Sequence, residues 1–72
     1  MEPTVKILDV VALLNNIPEH GLLQGQVGTI VEQLADSVYE VEFCNNKGET
    51  IASLAIEATD FLKLHYEVGE AA

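Results

Sequence analysis

"PEHGLLQGQVGTIVE", residues 18–32, holds one proline, three glycines and a run of β-branched residues in fifteen positions. That density of backbone punctuation, set against an apolar segment, decides the fold. Pro18 fixes φ near the value wanted at the second position of a tight turn. Gly21 supplies the positive φ that often follows such a turn, and Gly25 serves a second one. Gly28 falls inside the β-forming run, where a glycine marks a bulge or a sharp bend. Val27 and Ile30 do not share a strict period of two. The stretch therefore predicts a loop over 15–25 and a strand over 26–34 that coils tightly enough to close a small sheet on itself.

The flanking segments agree with that reading. Upstream, VKILDVVALL (residues 5–14) is apolar and rich in valine. Its length also permits a helix, but the valines and the following Asn15-Asn16 favour a strand, from about Leu8, that ends in a turn. Downstream, VYEVEFC (38–44) has the clearest alternation in the chain, with Tyr39, Val41 and Phe43 on one face and Glu40 and Glu42 on the other. Such alternation predicts a half-buried antiparallel strand. NNKG (45–48) is a hairpin turn, and TIASLAI (50–56) is the return strand. A 3₁₀ turn is expected around Ala58 to Asp60, then a last strand from Phe61 to about Tyr66. The expected fold is all-β: a five-stranded SH3-like barrel with a long first loop and a short 3₁₀ turn before the last strand. It forms one domain over residues 1–66, with a frayed acidic tail at 67–72.

Composition narrows the function. The chain has 72 residues, 49% of them hydrophobic, and a single cysteine, Cys44. A core of this size is marginal without a disulfide, a metal or a partner. Some of the apolar excess is therefore expected on a partner or self-association surface. One free thiol and no disulfide framework fit a reducing interior. The opening MEPTVK lacks a basic segment followed by an apolar one, and no run is long enough for a membrane helix. A cytoplasmic location is expected. Twelve carboxylates face three lysines and no arginine, for a net charge of −9. That field repels a phosphate backbone and an anionic membrane, and it steers basic proteins inward. It also keeps a small domain soluble whatever its role.

No residue constellation points to catalysis. Glu40 and Glu42 are spaced like a carboxylate pair able to share a proton, but they read more simply as the solvated face of a strand. His20, His65 and Cys44 show no metal-ligand spacing, and nothing basic activates Cys44. Gly21, Gly25 and Gly28 lead into a strand rather than a helix, which excludes a phosphate loop. No cofactor and no metal are expected. The remaining surface candidate is the first loop, since loops on rigid scaffolds carry binding. Pro18, His20, Leu22, Leu23 and Tyr66 are its expected contact residues. Tyr39, Phe43 and Phe61 either line it or belong to the core, which alternation favours for Tyr39 and Phe43.

DVVALLNNIPEHGLLQGQVGTIVE, then YEVEF, then TIASLAI, resembles the bacterial DUF4926 family, a domain of unknown function. The shared elements are a D-V-V-A-L opening at Asp9 to Leu13 and a P-x-x-G-L-x-x-G-x-x-G-T-[IV]-V-E loop and strand at Pro18 to Glu32. A Y-E-V-E-F strand at Tyr39 to Phe43 and a T-[IL]-A return at Thr50 to Ala52 complete them. The resemblance implies an SH3-like small barrel and brings no activity, cofactor or ligand. A wider similarity runs to SH3-like barrels in accessory subunits of photosynthetic and redox complexes, and to the KOW motif of ribosomal and transcription factors. The former implies a small protein that clips onto a larger one. The latter implies RNA contact, but the basic residues it uses are absent.

The expected function is thus a non-catalytic protein-interaction module, an accessory or regulatory partner of a larger protein, or one that self-associates. The alternative is an acidic antitoxin-like or immunity-like protein that masks a basic enzyme. A KOW-like nucleic-acid-binding barrel ranks behind both.

Overall fold

The structure is a computed structural model, and it describes residues 5–65. Five strands lie in one antiparallel sheet: β1 (Val10–Leu13), β2 (Val27–Ala35), β3 (Val38–Cys44), β4 (Thr50–Glu57) and β5 (Phe61–Lys63), in the order β4-β3-β2-β1-β5. Two 3₁₀ turns, Pro18–His20 and Ala58–Asp60, complete the described residues, which contain no α-helix.

Strand chemistry follows the sequence closely in β3. Tyr39, Val41 and Phe43 are buried while Glu40 and Glu42 face outward. The β3–β4 turn is built on Asn45, whose Oδ1 accepts the backbone N–H groups of Lys47 (2.8 Å) and Glu49 (3.0 Å). Gly48 follows at φ 82°, the left-handed position that a three-residue hairpin loop requires.

The first loop folds on itself. Ile17 and Leu22 exchange backbone hydrogen bonds (2.8 and 3.1 Å) around the Pro18–His20 turn, which Gly21 caps at φ 69°. That pairing drops Leu22 into the core, where it is 1% exposed, and leaves Leu23 outside at 64%. Leu22, expected among the contact residues of this loop, is therefore a core residue, while Leu23 is exposed. Tyr39, Phe43 and Phe61 are likewise core residues rather than a lining for this loop. Tyr66 and the tail at 67–72 lie outside the described residues.

The inward face runs Val11 and Leu13, Gly28 and Ile30, Tyr39, Val41 and Phe43, Ile56, and Phe61. It curls enough for Tyr39 of β3 to meet Phe61 of β5 edge to face, with ring centroids 5.9 Å apart, although β2 and β1 separate the two strands in the sheet. The curl stops short of closure. No ladder joins β4 to β5 among the described residues, so the strand pairing gives an open sheet rather than the expected closed barrel. The reason is the brevity of β5: three residues, already paired to β1, leave little to meet an eight-residue β4.

Gly28 plays a different part from the one its sequence context implied. Its φ is ordinary, and the register slips come later, at Val31 and Leu34, each an extra residue on β2 opposite β3. A Cβ on Gly28 would stand 2.7 Å from Val41 Cγ1 and 2.8 Å from two ring carbons of Phe43. Gly28 is therefore the floor on which the Phe43 ring lies. Among the described residues the one non-glycine at positive φ is Leu8, at φ 77° in a turn where Asp9 N–H bonds Lys6 C=O (3.0 Å). That turn starts β1 at Val10 rather than near Leu8.

Asp9 closes the sheet's N-terminal end. Its carboxylate accepts the Lys6 backbone N–H (2.9 Å) and lies 3.5 Å from Lys6 Nζ and 3.3 Å from Lys63 Nζ on β5. Partial desolvation pushes its pKa up, but the Lys6 N–H and the two ammonium groups outweigh that and hold it below the ordinary value.

Two tests follow from this packing. Gly28→Ala is expected to destabilise the fold by about 1–3 kcal/mol through overpacking, and Phe43→Leu in the same chain to recover part of the loss. Strictly additive effects in denaturant melts would show that the two positions do not share space. Asp9→Asn is expected to lower the urea midpoint at neutral pH. A depressed folded-state pKa stabilises above the unfolded carboxylate's value, about 4, and that contribution disappears as pH falls through the folded pKa. The gap between wild type and variant should therefore shrink on acidification; a gap constant with pH would remove Asp9 from the acid response.

Candidate functional site

Outward-pointing side chains divide the sheet's exterior into two sectors. Over β2, β1 and β5, the in-register residues Val27, Ala12 and Leu62 make a cross-strand apolar row. Val27 is 49% and Leu62 53% exposed, where strand residues of this type are ordinarily covered. Val10, and Leu64 whose N–H bonds Val10 C=O (2.8 Å), extend the row. Over β2, β3 and β4 the exterior is acidic. Glu32 lies opposite Glu40, and Glu42 lies between Thr29 and Ser53. Glu40 accepts from Ser53 Oγ and Glu42 from Thr50 Oγ1, both at 2.6 Å, so both carboxylates lean toward β4.

Charge balance sharpens the contrast. Lys6 and Lys63 are both engaged by Asp9, which leaves Lys47, in the β3–β4 turn, as the only lysine without an ion pair among the described residues. The acidic sector therefore has no cation within it to neutralise it.

A shallow cleft of about 310 Å³ opens where the β4 end of the sheet faces the first loop. Leu13, Asn15, Asn16 and Ile17 form one wall, and Ala55, Ile56, Glu57 and Asp60 the other. Asn16 is held in place by the Gln24 N–H, which bonds its Oδ1 (2.7 Å). Four apolar residues share its lining with two amides and two carboxylates. Nothing in it pairs a nucleophile with a base at hydrogen-bonding distance.

Residues singled out in the sequence are placed unevenly. Pro18, His20 and Leu23 are exposed on the first loop but do not line the cleft, which draws instead on the start of that loop. Among the described residues no group of three or more His, Cys, Asp and Glu could hold a metal ion. Cys44 is exposed and free. The apolar row was missed because β1 is greasy on both faces, and period alone does not say which face is covered. Its signal was present nonetheless, in the apolar residues that alternation in β3 left no room for.

No helix of the described residues is long and apolar enough to cross a membrane. No curated protein and no solved structure matches the chain. A family model, "Domain of unknown function (DUF4926)", matches residues 7–63, which takes in all five strands and the first loop. The chain belongs to the DUF4926 family.

Proposed function

We propose that the protein is a non-catalytic, cytoplasmic protein-interaction module that docks onto a larger protein through the exterior of its sheet. The observation that carries this is the apolar row Val27–Ala12–Leu62 lying beside an acidic sector on one continuous surface. Solvent-exposed apolar rows rimmed by charge mark partner surfaces. The matching partner presents apolar side chains flanked by Lys or Arg, and the net charge of −9 speeds their encounter. On this reading the curl of the open sheet is SH3-like; the Tyr39–Phe61 contact across its concave face supports that description.

A second reading, an immunity-like or antitoxin-like protein, is favoured by the same unneutralised carboxylates, Glu32, Glu40 and Glu42. It differs in the identity of the partner, a basic enzyme whose activity would fall on binding.

The test is a comparison of tagged wild type with the Val27→Glu/Leu62→Glu double variant, each used to retrieve partners from the source cells. Both positions are exposed, so the melting temperature should change little. A protein retained by wild type and lost by the variant supports the module. The same retained set for both, or no retained protein, overturns it. A retained basic enzyme inhibited by the wild-type chain selects the second reading.

A further inference from the structure

Strand β4 forms one edge of the open sheet. Its backbone bonds β3 on one side, and on the other side it makes no backbone hydrogen bond to any described residue. Proteins blunt free edges with shortness, charge, proline or bulges. The opposite edge, β5, is protected by its three-residue length and by Lys63. β4 has eight residues, and from Thr50 to Ile56 it carries neither charge nor proline. Its single irregularity is at Ile51, after which the register with β3 is unbroken from Ala52 to Glu57.

We infer that the β4 edge pairs with an extended segment of the partner in which Lys or Arg alternates with apolar residues. This rests on the proposed role as a protein-binding module and states how the partner's basic part is held. Backbone pairing at an open edge supplies affinity, and alternate side chains supply specificity. On the exterior, an added strand lies about 5 Å beyond Ser53 and Ala55, and about 10 Å from the β3 backbone. Those two side chains are small, so a long basic side chain can lie across them toward Glu40 and Glu42, which lean the same way. On the other face, the Ala55–Glu57 end of the edge opens into the cleft with Leu13 and Ile17. An apolar side chain of the same segment fits there, with Glu57 and Asp60 at its rim. Charge decides between occupants. A second copy would bring its own Glu40 and Glu42 and another nine net negative charges against this edge.

The probe is an acetylated and amidated eight-residue peptide of alternating Lys and Val. It is used with two analogues N-methylated at every other residue, one in each phase, which keep the charge but block pairing along one side. Binding to the full chain is titrated, and amide hydrogen exchange locates the site. The expected result is slowed exchange over residues 50–57, loss of binding by one N-methylated phase only, and affinity weakened about five- to tenfold by Glu40→Gln/Glu42→Gln. Equal binding by all three peptides, or protection over β1 and β2 instead, overturns the inference. So does a dimer whose β4 amides are protected without peptide, which assigns the edge to a second copy. Because Val27 and Leu62 are untouched here, the edge can fail while the apolar row still retains its partner, and the reverse.

Discussion

The contact between the Phe43 ring and the bare backbone of Gly28 sets the geometry of the whole sheet. The two residues are cross-strand partners, in a row that reads Val11, Gly28, Phe43 and Ala52 across four strands. One large ring flanked by the two smallest side chains fills the centre of the concave face without a void. With a side chain on Gly28, Val41 and the Phe43 ring would have to shift. On the same concave face the curl brings Tyr39 to Phe61. Interiors are packed to crystal density, so one extra methyl at such a point is felt throughout.

The same curl explains the surface. A sheet that wraps its larger side chains inward needs little of the remaining apolar inventory for its core. β1 is short and apolar on both faces, and its outward side chains, Val10 and Ala12, are only half-buried. β3 alternates strictly and turns glutamates outward instead. The exterior therefore splits by strand, with apolar residues over β5, β1 and β2 and carboxylates over β2, β3 and β4. Asp9 keeps this division sharp by drawing two of the three lysines to one end of the sheet. Surface and core are consequences of one arrangement, and the proposed recognition of a protein with matching apolar and basic groups rests on both.

The sheet is open on both sides. Antiparallel pairing stops at β4 on one side and at β5 on the other, and the side chains of Ile56, Phe61 and Tyr39 hold the two ends near each other. The edge of β4 is thereby presented next to a cleft and a pair of carboxylates.

Read alone, the residues determined the number of strands and the approximate limits of most of them, the turn at Pro18, the 3₁₀ turn at Ala58–Asp60, the hairpin at Asn45–Gly48 and the inward face of β3. These depend on local chemistry: alternation, proline and the positive φ of Gly21 and Gly48. Three things waited for the tertiary structure. Gly28 is a packing glycine because Phe43, fifteen positions away, lies on it. Leu22 is core and Leu23 surface because the Ile17–Leu22 bridge orients the loop. The sheet stays open because β5 is too short to meet β4. Each depends on what lies across the sheet, and a one-dimensional pattern does not record distance in space.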